Sequence, residues 1–142
     1  MTSTACDICE SQYFSPGIST SGRALSIKPK VLRYGSATLA GVMVADRVCL
    51  SDEDPLDICA DDFEFLVMTK SKGLNGNDGI LGLSPINKAN GPSFMNALYR
   101  QDKIDKEVVT FWINKEEIES TVTIGGVPDN AIRGNQFSHE LI

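Results

Sequence analysis

Four cysteines, one histidine and eleven aspartates are the residues of this 142-residue chain best suited by type to bond-making or metal chemistry. The cysteines are Cys6, Cys9, Cys49 and Cys59. An even number in a small, loop-rich chain points to disulfides, with three possible connectivities. Sequence neighbours are the expected pairs, Cys6 with Cys9 and Cys49 with Cys59. A zinc site is the competing use, but it needs two short Cys-x-x-Cys knuckles or histidines in their place. Only Cys6 and Cys9 have that spacing, and the sole histidine, His139, is far away in sequence. A redox Cys-x-x-Cys needs a strand before it and a helix after it, whereas Ser11 to Gly22 is polar and turn-rich. Disulfides imply an oxidising compartment. The first residues, "MTSTACDICE", nevertheless lack the basic and apolar regions of a signal peptide.

Other constellations are weaker. A Ser-His-Asp or Cys-His nucleophile would have to use His139, which sits in a polar stretch and reads as solvent-facing. "GLNGND" has glycines but no following Lys-Ser/Thr, so it is not a phosphate loop, and it lacks the ligand spacing of a calcium loop. The acidic cluster from Asp52 to Asp62 reads as solvated loop charge. No metal or cofactor is expected. The net charge of −6 and the scattered lysines and arginines argue against nucleic acid. No apolar run reaches the length of a membrane span.

The elements that position these residues are mostly strands and turns. "ALSIKPKVLRY" reads as a strand with Pro29 at an edge, and "ATLAGVMVADRVCL" as a long second strand. Together they make a hairpin over about residues 26–50, with Tyr34 at its end and Gly35-Ser36-Ala37 at its tip. "DFEFLVMT" places Phe63 and Phe65 on one face. "ILGL" reads as a short buried run, and "EVVTFWI" with "STVTIGG" as another hairpin. Phe111 and Trp112 fall on opposite faces of one strand, so at least one is expected in the core. Only "GPSFMNALYRQ" reads as a helix, capped by Ser93. The fold class is mainly β with one short helix, in one domain or part of a larger one.

In this order and spacing, "RYGSATLAG", "NDGILGLSP", "SFMNALYRQ", "VVTFWIN" and "VTIGG" resemble the pepsin-like aspartic proteases. The resemblance runs from about Cys6 to the C-terminus. It implies that residues 1–142 are a partial peptidase domain, the flap-bearing middle portion of the N-terminal lobe of a bilobal fold. Tyr34, Gly35 and Ser36 match the first three positions of the family's Tyr-Gly-[Ser/Thr]-Gly flap, which closes over a bound peptide. Ala37 stands where the flap's second glycine usually sits; if that position keeps a positive φ, its Cβ costs roughly 1 kcal/mol. Asp78 to Leu83 match a segment that packs beneath the cleft, so Ile80 would line the substrate pocket with the flap residues. Cys6 and Cys9 resemble a small disulfide loop of the family. "QDKI", residues 101–104, lacks the glycine that often follows the helix.

The resemblance also implies a chemistry whose central groups are missing from this sequence. The family hydrolyses peptide bonds with two aspartates, each in an Asp-[Thr/Ser]-Gly turn. One carboxylate takes the proton of a water while its protonated partner polarises the scissile carbonyl, and this family is a standard case of paired carboxylates with split pKa values. None of the eleven aspartates here begins Asp-Thr-Gly or Asp-Ser-Gly. The expectation is therefore an aspartic endopeptidase family chain, inactive by itself, acting on peptide or protein substrate through its flap side only when completed by the missing parts of the domain. A non-catalytic peptide-binding module and a small structural β protein are the alternatives. By family resemblance and cysteine content the location is secreted, lysosomal or vacuolar.

Overall fold

The computed structural model describes residues 14–34, 37–50, 58–73, 79–84, 91–113 and 120–128. Its elements are β1 (Arg23–Ala24), β2 (Lys30–Tyr34), β3 (Ala37–Cys49), β4 (Cys59–Lys72), α1 (Phe94–Arg100), β5 (Val109–Trp112) and β6 (Thr121–Ile124). The mainly β reading with one short helix holds. β2 starts only after Pro29, because proline cannot donate to a ladder.

β3 organises the larger sheet. All its partners are antiparallel: β4 along most of its length, β2 against residues 37–41, and β1 against residues 44–45. The β3–β4 register shifts twice. Between Asp46 and Val48 two β4 residues, Asp61 and Asp62, oppose one β3 residue, and Asp62 takes a φ of 52°. Such a bulge bends the ribbon and lets a helix lie against it. Gln101 reinforces the bend: its side-chain amide accepts from the Asp61 N–H at 2.8 Å and donates to the Asp61 carbonyl at 2.9 Å.

The core forms where α1 meets β4. Ala60, Phe63, Phe94 and Leu98 are buried together, with Phe65, Ile104 and Ile124 packed around them. Phe63 and Phe94 meet edge to face, 5.4 Å between centroids, and Phe65 does the same with Phe14 at 5.2 Å. Phe63 and Phe65 thus share the inward face that their spacing predicts. Ser93 caps α1 by accepting from the Asn96 N–H. The helix closes without glycine: Asp102 adopts φ 54°, the Lys103 N–H reaches the Leu98 carbonyl and the Asp102 N–H reaches Tyr99. That bond pair is a Schellman motif, and aspartate is among the few side chains that tolerate the left-handed region.

β5 and β6 pair as a separate two-stranded sheet, with Val109 opposite Ile124 and Phe111 opposite Val122. Ile124 reaches the core, but the far end of the hairpin does not. Phe111 is 60% exposed and Trp112 45%, so neither enters the core and the sequence expectation for this pair fails. The hydrophobic pattern marks residues that want burial, but no described element lies over that end.

Candidate functional site

The hairpin carrying Tyr34 is built from the ladder upward. β2 and β3 pair in unbroken register from Lys30 opposite Gly41 to Tyr34 opposite Ala37. Only Gly35 and Ser36 lie between the strands, the length of the tightest hairpin connections. Those two residues and the Tyr34 side chain lie outside the described residues; the Tyr34 backbone ends β2.

Ala37 begins β3, and its methyl group faces inward. It is 6% exposed and Leu39 5%, and Leu66 and Met68 of β4 pack against this pair. The non-glycine residues with positive φ among those described are Asp62 and Asp102. Ala37 is therefore free of the strain that a left-handed conformation would impose, and its Cβ packs towards β4. Farther down, the register shift between Ala40 and Gly41 leaves Thr69 between paired positions, and its hydroxyl donates to the Ala40 carbonyl at 3.3 Å. A Cβ at Gly41 would collide with the Val67 carbonyl oxygen, so glycine is required for the two strands to approach there.

The segment matched to the floor of the cleft is placed differently from its sequence reading. Residues 79–84 form no strand; Ile80 is 52% exposed and Leu81 45%. The expected burial of "ILGL" is not observed, because no described strand pairs with it. Asp78 lies outside the described residues, as do Cys6, Cys9 and His139. Cys49 and Cys59 are disulfide-bonded, directly opposite each other at the end of the β3–β4 ribbon.

Among the described carboxylates, Asp46 is distinctive. It lies 4% exposed on β3 and accepts from the Ser21 hydroxyl at 2.6 Å and from the Arg47 N–H at 2.7 Å. Burial alone would raise its pKa, but the hydrogen bonds from Ser21, Ser19 and the Arg47 N–H together outweigh it and hold the carboxyl below its ordinary value. Ser19 also accepts from the Ser21 and Gly22 N–H groups, so the loop before β1 is knotted to β3 through this carboxylate. Sequence reasoning missed it, though an acid inside the apolar run "VMVADRVC" was a usable signal. Asp62 is also held low, by the bidentate bond from the Arg23 guanidinium. No group of three metal-ligating side chains occurs among the described residues. Among the described strands β2 pairs with β3 alone, so its other backbone edge has no described partner.

Comparisons with known proteins agree on one family. The family model described as eukaryotic aspartyl protease matches residues 1–141. The chain is similar to aspartic proteinase oryzasin-1 of Oryza sativa subsp. japonica, 28% identical over 117 residues, covering 76% of this chain and 22% of that protein. It is also similar to aspartic proteinase A2 of Arabidopsis thaliana, 32% identical over 117 residues, covering 75% of this chain and 22% of that protein. Among solved structures it matches the aspartic proteinase from Irpex lacteus with a TM-score of 0.70 and 19% identity, covering 94% of this chain and 41% of that one. The last likeness is one of fold.

Proposed function

Because this chain belongs to the eukaryotic aspartyl protease family, we propose that it supplies the lid side of the substrate cleft of an aspartic-type endopeptidase. The observation that carries this reading is the β2–β3 hairpin, in which a tyrosine closes the ladder and only Gly35 and Ser36 remain beyond it. The small tip lets the N–H and C=O groups of residues 35–37 bond a peptide as an added strand. Tyr34 packs its ring on a substrate side chain and directs its hydroxyl across the cleft. Ile80 lines the same pocket from below. When the lid closes it excludes water other than the attacking molecule.

Bond cleavage itself needs two carboxylates in Asp-[Thr/Ser]-Gly turns, which these 142 residues do not contain. They would come from polypeptide outside this sequence, in line with the 22% of each curated relative that the chain spans. The Cys49–Cys59 disulfide supports a secreted, lysosomal or vacuolar location, where such bonds persist.

The test has two arms. The purified 142-residue chain, assayed on peptides at acid pH, shows no cleavage sensitive to a transition-state-mimicking aspartic protease inhibitor. In a version extended to carry both catalytic turns, Tyr34→Ala cuts turnover by about tenfold or more, within the range that lid positioning supplies, with an unchanged melting temperature. Inhibitor-sensitive cleavage by the short chain would overturn the division of labour. A lowered melting temperature with unaltered turnover would make Tyr34 a packing residue and the hairpin a mere turn.

A further inference from the structure

The charges of the β3–β4 ribbon are sorted along its length. Near the disulfide, β4 carries Asp61, Asp62 and Glu64; towards the lid it carries Lys70 and Lys72. At the disulfide end the exposed cations are used. Arg23 binds Asp62 through two nitrogens at 2.8 Å each, and Arg47 reaches Asp61 at 3.4 Å.

At the β2–β3 turn end no described acid pairs with the cations. The register sets Arg33, Thr38 and Lys72 in one row across β2, β3 and β4, and Val31, Ala40 and Lys70 in the next row of the same face. This face points away from the packing of Ala37 and Leu39. Arg33, Lys70 and Lys72 are all exposed, and none makes an ion pair with a described residue. Glu64, the nearest acid along β4, is six positions from Lys70, or ~20 Å along the strand. That distance exceeds the screening length of about 8–10 Å.

We propose that this outer face is a docking surface for an acidic, extended polypeptide segment. Lys70 and Lys72 are separated by about 6.6–6.8 Å, the repeat between alternate side chains of any extended chain. Carboxylates at every second residue of a bound segment therefore fall into step with them. Arg33, two strand spacings or ~9.6 Å away across the row, takes a further carboxylate in its planar fork. The face suits a peptide better than a bilayer: among the described residues its large exposed apolar side chain is Val31, with no aromatic or leucine beside it to enter lipid. A long polyanion would meet a molecule of net charge −6, whereas a short acidic segment feels chiefly the local cations. The surface is independent of whether the complete protein hydrolyses peptides.

A labelled peptide of alternating Asp and Ser, titrated with the 142-residue chain and followed by fluorescence anisotropy, tests this. The peptide binds, and its Asn-Ser counterpart does not. Raising the ionic strength from about 0.05 to about 0.5 M weakens binding by roughly tenfold. Replacing Arg33, Lys70 and Lys72 together by Gln has the same effect, whereas Lys103→Gln with Lys106→Gln has none. The charge-keeping set Arg33→Lys, Lys70→Arg and Lys72→Arg retains binding, which separates loss of charge from loss of fold. Undiminished binding by the Gln variant, equal binding of the Asn-Ser peptide, or binding of phosphatidylserine vesicles in place of the peptide would overturn the proposal.

Discussion

Asp46 shows how one side chain sets the behaviour of a larger region. Its carboxylate is buried on β3 and gathers donors from Ser21 and its own neighbour's N–H. Hydrogen bonds to a charged group are worth about 1.5–3 kcal/mol each when formed, so losing the charge loosens the loop before β1. The pKa direction fixes the pH window. The folded value lies below the ordinary 3.8, so the unfolded chain binds the proton more readily. The contribution is then complete above the unfolded value and lost as pH falls through the folded one. We predict that Asp46→Asn lowers unfolding free energy by about 1–3 kcal/mol. That deficit stays constant from neutral pH down to about 5 and shrinks only below the ordinary carboxylate pKa. Urea denaturation of both proteins across that range measures it. A deficit that vanishes already at pH 6 would show that Asp46 is not held low.

At the scale of elements, the patterns read well wherever a local rule governs. Ser93 caps α1 as its type predicts, Phe63 and Phe65 share a face, and Pro29 marks where β2 can begin. What was not legible depends on partners distant in sequence. The bulge at Asp61 and Asp62 exists because β3 and β4 must both pair and bend, and nothing local in "CADDF" announces it. Residues 101–104 lack the glycine that often follows this helix in the family, and nothing in them announced that Asp102 would take the left-handed closure instead. At the β2–β3 hairpin, the sequence supplied the turn but not the inward methyl of Ala37, which follows from Leu66 and Met68 on a strand some thirty residues later. The disulfide pairing of Cys49 with Cys59 was legible because the loop it closes is short. We predict that Cys49→Ser with Cys59→Ser costs about 2–3 kcal/mol, as a loop of this size implies. The loss should appear as lower thermal stability of the non-reduced protein, matched by reducing the parent chain. Equal stability of parent and variant without reductant would mean that the bridge adds no constraint.

For the whole molecule, the distribution of exposed apolar side chains matters more than any single contact. The core at α1 and β4 is buried, but Phe111, Trp112, Ile113 and Val122 are all exposed at one end of the β5–β6 hairpin, and Ile80 and Leu81 are exposed on their own segment. Isolated two-stranded sheets are marginal in water, and three strands or a packed face are needed for independent stability. The sequence pattern at these residues is that of buried strands. Its conflict with their exposure is physical: burial is a property of two surfaces, and the sequence supplies one of them. The chain covers 41% of the solved relative whose fold it shares, which leaves room for the second. Trp112 is the single tryptophan and therefore a clean reporter. In the 142-residue chain its fluorescence should be red-shifted and readily quenched by iodide, since nearly half its surface is open. In the version extended with both catalytic turns, the emission should move to the blue and quenching should fall several-fold, as the apolar strip is covered and the hairpin gains neighbours. Equal quenching in the two proteins would show that the strip is not where the rest of the fold seats.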